Sequence, residues 1–241
     1  MPISIRHLLL ATALASALLP PAQAALTISA TRIVQTSDKQ SSSIIVANPS
    51  NQAFAAQTWV NTEADDSTTS VPLIAAPELF RLDPGNKQTV QINRISKDLP
   101  NDRESLFYFN VQELPQADEE QANTLSIALR TRIKLFYRPA ELQGSPQKSL
   151  KDLQWSVQRR EGKAQLIVHN PSPYHYTFSR VQLGSASKRE SIEAQAMVAP
   201  KSSQAYDVHD SVIKPGMRVI FTTINDFGGT TKEVTAAVSG T

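Results

Sequence analysis

The side chains best suited to proton transfer and metal binding are few in this chain. Beyond the first 24 residues the histidines are His169, His175 and His209, and there is no cysteine. Their spacing fits no zinc pattern, and without cysteine there is neither thiolate catalysis nor a thiolate metal site. His209 beside Asp210 could supply half of a catalytic triad, yet no serine stands in a nucleophile setting such as G-x-S-x-G. Phosphate-binding loops, dinucleotide fingerprints and the H-E-x-x-H motif are also missing. The reading is a protein that is not an enzyme and needs no metal or other cofactor. What stands out instead is the stretch Asn123–Pro139, NTLSIALRTRIKLFYRP. Taken in steps of two it separates into an apolar row, Leu125, Ile127, Leu129, Ile133, Leu135 and Tyr137, and a row carrying Arg130, Arg132, Lys134 and Arg138. Period two is that of a β-strand, whose side chains alternate between faces.

Strands must therefore position these charges, and the rest of the chain reads as strands. Short runs of Val, Ile, Thr, Tyr and Phe alternate with Pro, Asn, Asp, Ser and Gly. The first half offers Thr27–Val34, Ser43–Ala47, Ala55–Val60, Thr89–Ile95, Leu106–Glu113 and the stretch above. Asn48-Pro49-Ser50-Asn51 and Asp83-Pro84-Gly85-Asn86 supply turn chemistry between them. The pattern lapses at PAELQGSP, Pro139–Pro146, the best linker. It then resumes with Leu153–Val157, Ala164–His169, Tyr176–Leu183, Glu193–Val198, Gln204–Val208, Met217–Ile224 and Lys232–Val238. About seven strands per half is the count of an immunoglobulin-like sandwich. The expected fold class is all-β, with two such domains at 25–141 and 149–241 and a linker at 142–148. The Asn123–Pro139 row is long for a strand, whose usual length is about five or six residues. It is therefore expected to project beyond its own sheet.

At the N-terminus a single cation, Arg6, precedes the apolar run Leu8–Leu19, a proline pair and Ala22-Gln23-Ala24. That order is a secretory signal peptide over 1–24, cleaved after Ala24. The run falls short of the roughly 20 apolar residues that span a bilayer. Of 24 Lys and Arg, Arg6 lies in the leader, which leaves 23 against 22 Asp and Glu. So balanced a chain has no strong long-range field, which argues against nucleic acid as a partner and makes any electrostatic recognition local.

DRESLFYFNVQELP (Asp102–Pro115) and IALRTRIKLFYRP (Ile127–Pro139), joined by a short acidic loop, closely resemble the periplasmic chaperones of the chaperone-usher pilus pathway, the PapD-like family. Weaker matches at TRIV (Thr31–Val34), FRLDPG (Phe80–Gly85), NPSPYHYTF (Asn170–Phe178), VAPKSSQ (Val198–Gln204) and INDFGG (Ile224–Gly229) follow the family's order. The family is an established case of both the sandwich architecture and strand donation to an open sheet. The resemblance implies a boomerang, or L-shaped, pair of immunoglobulin-like domains with a cleft at the hinge. It implies a periplasmic chaperone that binds pilus or fimbrial subunits by lending them a strand, then delivers them to an outer-membrane usher. Leu125, Ile127 and Leu129 match the donor side chains that fill the subunit's groove. Arg32 and Lys134 match the pair that binds the subunit's C-terminal carboxylate, and Glu104, Arg138 and Asp226 match an ion-pair network between the domains. Strict alternation puts Leu129 and Lys134 on opposite faces. Either a bulge or strong twist intervenes, or Lys134 reaches the cleft from the other side of the sheet. A client-free homodimer that caps the donor strand is a further expectation. The alternative is a secreted structural or adhesive subunit of a surface fibre, which would be a single sandwich. Two departures from the family stand out: no cysteine pair near the C-terminus, and Pro77-Glu78 where relatives often carry two prolines. The loop between Leu114 and Asn123 places the chain with the short-loop branch.

Overall fold

The computed structural model describes residues 26–66, 68–96, 98–114, 128–160, 162–185, 189–209 and 216–240. Among the described residues the first half contains nine strands: β1 (Thr27–Ile28), β2 (Arg32–Thr36), β3 (Ser41–Ala47), β4 (Phe54–Asn61), β5 (Leu73–Ala76), β6 (Leu79–Leu82), β7 (Lys87–Arg94), β8 (Ser105–Leu114) and β9 (Arg130–Arg138). They form two facing sheets, ordered β1-β3-β7-β5 and β2-β9-β8-β4-β6. Ile44, Val46, Val90 and Ile92 from one sheet meet Val60, Phe109, Val111, Ile133 and Leu135 from the other. Alternating burial along β3 and β7 is the signature of a sheet with one wet face.

Thr27–Val34 is not one strand. The chain pairs with β3 through Thr27 and Ile28, then crosses to the other sheet and pairs with β9 from Arg32 onward. Ser29 makes the crossing: its N–H donates to the Ile45 carbonyl and its hydroxyl accepts from the Ile45 N–H. β5 and β6, of four residues each, escaped the sequence pattern. The peptide bond between Ala76 and Pro77, which joins them, is cis.

The second half holds α1 (Pro146–Ser149), capped by the Ser145 hydroxyl, then a 3-10 turn (Leu150–Asp152) that sends Leu150 into the core. Seven strands follow: β10 (Gln154–Arg160), β11 (Lys163–Asn170), β12 (Phe178–Gly184), β13 (Arg189–Ile192), β14 (Ser202–Val208), β15 (Arg218–Thr223) and β16 (Val234–Ser239). β16 joins the two layers, pairing antiparallel with β15 through Val234–Ala237 and parallel with β10 through Val238 and Ser239. Trp155 packs against Phe178 and Phe221 at centroid distances of 5.4 and 5.2 Å at the centre of this sandwich. The strand expected at Glu193–Val198 is absent. Its place is taken by β13 just upstream, while Val198, fully buried, makes only an isolated bridge to Tyr176.

The two halves share one hydrogen-bonding device. Asn48 and Asn170, each opening an Asn-Pro-Ser turn, are buried, and each side-chain oxygen accepts from the N–H and hydroxyl of the serine two residues on. The amide of Asn48 donates to the carbonyls of Gln52 and Leu82, and that of Asn170 to those of Tyr174 and Ala199. Each asparagine thus satisfies one buried carbonyl, that of Leu82 or of Tyr174, which would otherwise destabilise the loop, and a second one nearer the surface.

Candidate subunit-binding cleft

β9 is in register with β8 from Gln112↔Arg130 to Ser105↔Tyr137, with no bulge. Alternation therefore holds. Ile133, Leu135 and Tyr137 enter the first core, while Arg130, Arg132, Lys134, Phe136 and Arg138 lie on the other face. Of the two routes left open by the sequence, Lys134 takes the second and reaches the cleft from the face opposite the apolar row.

The apolar row continues past the core. Leu129 is 51% exposed, and its carbonyl still accepts from the Glu113 N–H at 3.0 Å, so the ladder runs on while the side chain leaves the sandwich. Leu125, Ile127 and the loop that precedes them lie outside the described residues. On the other edge of β9, β2 runs parallel and begins with the pair Arg32↔Lys134. Among the described residues no strand pairs with Arg130–Ile133 on that edge.

Arg32 and Lys134 are thus neighbours where the open edge meets β2. Arg32 Nη1 donates to the carbonyl of Ile224 in the second domain at 3.1 Å, and its guanidinium lies 5.9 Å from the centre of the Phe136 ring. Its Nε is buried without a hydrogen-bond partner. Lys134 Nζ donates to Thr177 Oγ1 at 2.9 Å. Burial lowers the pKa of both; the nearby Arg32 charge lowers that of Lys134 further, whereas Asp226 partly restores Arg32. Two half-buried cations side by side, held by neutral oxygens, form a site that an anion would stabilise. Arg130 and Arg132 differ. Arg130 pairs with Asp65, bonds Asn110 and stacks on Trp59. Arg132 lies 3.8 Å from the Tyr108 ring centre and donates to the Thr62 carbonyl.

Glu104, Arg138 and Asp226 come together across the domain junction. Arg138 Nε donates to Glu104 at 2.6 Å, while Nη1 and Nη2 engage both oxygens of Asp226 at 2.7 and 2.9 Å. Burial pulls the arginine pKa down, but the two carboxylates more than offset it and the net shift is upward. The second oxygen of Glu104 accepts from the backbone N–H and Nδ1 of His175. Lys201 pairs with Asp102 across the same junction.

Sequence reasoning missed Phe136, His175 and Thr177. Phe136, 4% exposed although on the charged face, meets His175 at 5.5 Å between ring centres. Its place in the cationic row was the available signal: an aromatic residue there needs a second surface to cover it. His209 bonds Glu190, and Asp210 lies outside the described residues. Among the described residues no group of three or more His, Cys, Asp or Glu is placed to hold a metal ion.

Two family models match the chain. "Pili and flagellar-assembly chaperone, PapD N-terminal domain" covers residues 25–143, and "Pili assembly chaperone PapD, C-terminal domain" covers 148–235. The probable fimbrial chaperone YadV of Escherichia coli K12 is 39% identical over 211 residues, 84% of this chain and 85% of that protein. The chaperone protein PapD of Escherichia coli is 37% identical over 206 residues, 83% of each chain. The crystal structure of the YadV chaperone superimposes with a TM-score of 0.77 at 36% identity, over 89% of this chain and all of that one.

Proposed function

Because this chain belongs to the PapD family of pilus-assembly chaperones, we propose a division of labour among its residues. The protein is a periplasmic, non-enzymatic chaperone with two immunoglobulin-like domains in a boomerang arrangement. It binds pilus or fimbrial subunits by donor-strand complementation and delivers them to an outer-membrane usher. Residues 1–24 act as the signal peptide, cleaved near Ala24. Residues 25–141 form the donating domain, 142–148 the linker and 149–241 the second domain. A second full sandwich separates it from the single-domain fibre subunit.

One observation carries the residue assignments: β2 runs parallel to β9 and starts at Arg32, just where the open edge stops. A client strand added to that edge in the same direction would end, at its C-terminus, against Arg32 and Lys134. Its carboxylate would gain charge-assisted hydrogen bonds worth about 1.5 to 3 kcal/mol each. Leu125, Ile127 and Leu129 would fill the client's open groove, at about 1.5 to 3 kcal/mol of gross burial per side chain. The anchor also sets register, because a slip of one residue would turn all three away from the groove. Glu104, Arg138 and Asp226 hold the angle at which the second domain closes over the site.

The test is co-expression with a pilus subunit encoded beside this chain. Arg32→Ala and Lys134→Ala are expected to leave the chaperone folded and abolish recovery of a one-to-one soluble complex. Normal recovery with either variant would refute the anchor.

A further inference from the structure

Phe227 is 96% exposed, the most exposed large apolar side chain among the described residues. Its backbone is fixed. In the Asn225–Gly229 turn, Asn225 Oδ1 accepts from the N–H groups of Phe227 and Gly229, while the Asn225 backbone bonds Gly228 and Gly229. The turn is also docked on the first domain. Asp226 grips Arg138 with both oxygens, and Gly228, at φ +83°, lies so close to Thr31 that a Cβ there would stand 2.2 Å from the threonine hydroxyl. Thr31 directly precedes Arg32, and Phe227 and Arg32 line the same interdomain cleft of about 210 Å³ with Phe136 and Ile224.

A phenyl ring held in water on a hydrogen-bonded turn gains nothing for the fold, which would be served as well by a polar residue. Its backbone is already fixed, so binding has only the side-chain torsions of the ring left to order. Resting on the carboxylate-anchor reading, we propose that Phe227 is an apolar shelf for the side chains at the end of the client. A strand that runs along the β9 edge and stops at Arg32 alternates its side chains between the two sheet faces. One set faces the second domain, where Phe227 stands. The cleft then reads two properties of its client, a free carboxylate through Arg32 and Lys134 and an apolar residue at or next to it through Phe227.

The test uses the mature full-length chain and synthetic N-acetylated ten-residue peptides of alternating Val and Thr. These end in Phe, Leu or Ala, as free acids and as amides, and titration gives Kd for each. Phe227→Ala is expected to weaken the Phe- and Leu-ended acids roughly tenfold, the scale of returning one shared apolar contact to water, and the Ala-ended acid by less than twofold. Phe227→Tyr is expected to bind as the parent. Preference for acids over amides with no dependence on residue 227 would overturn the shelf and leave the anchor standing. Equal binding of acids and amides, or no binding of any peptide at millimolar concentration, would overturn both.

Discussion

Arg32 and Lys134 form the first rung of the parallel β2–β9 ladder, so two cations are locked side by side by backbone pairing. Side-chain freedom cannot relieve their repulsion completely, and burial adds to it. A group whose folded pKa is depressed in this way makes a specific statement about pH.

Lys134 keeps its proton less well in the folded chaperone than in the unfolded chain. Between its lowered pKa and about 10.4 the unfolded state binds more protons, so the free chaperone gains stability as pH rises through that window. The proposed anchor needs the charged lysine, so client affinity should fall across the same window. Chemical denaturation and client titration over an alkaline series are expected to move in opposite directions. Lys134→Met should remove both slopes.

Leu129, just before β9, and Leu135, within it, share one alternating row but not one environment: they are 51% and 0% exposed. Leu135→Ala is expected to cost about 2 to 5 kcal/mol by opening a cavity. Leu129→Asp should leave the melting temperature within a degree or two and sharply reduce client capture. A large thermal loss in Leu129→Asp would mean that this side chain belongs to the home domain.

Glu104 is sealed between Arg138 and His175, its side chain 2% exposed. Arg138→Ala would strand a buried carboxylate, at a cost of about 3 to 5 kcal/mol. Arg180→Ala, which breaks an exposed pair with Glu233, should cost no more than about 1 kcal/mol. Urea titrations of the two variants give the comparison, and similar midpoints would contradict a structural role for the junction network.

Asn48 and Asn170 each serve only their own sandwich. Replacing either by Ala leaves one buried carbonyl unmet, that of Leu82 or of Tyr174, at about 1 to 3 kcal/mol. Calorimetry should show a different domain weakened in each variant.

The alternation in Asn123–Pro139 made the strand and its two faces legible, and the structure describes them from Leu129 onward. Arg32, Lys134, Glu104, Arg138 and Asp226 were legible through family motifs, and they do meet at one junction although Arg32 and Asp226 lie far apart in sequence. What escaped had physical reasons. The crossing at Ser29 is made by its backbone N–H and hydroxyl, both bonding to Ile45, a contact sixteen residues away in sequence with no local signature. Arg189–Ile192 is a strand with only one buried residue, whereas Glu193–Val198 has the apolar content of a strand and packs as irregular chain. His175 owes its place to Glu104, on the other domain, and nothing in its own neighbours announces that.

Because Leu129 and Lys134 lie on opposite faces of one continuous ladder with β8, their spacing is a matter of parity. Removing one residue between Leu129 and Lys134 would leave the composition almost untouched yet swing either the ridge or the clasp to the wrong side. With the donor and anchor roles proposed above, the identity of the donated apolar residues is free to vary where the length of this segment is not.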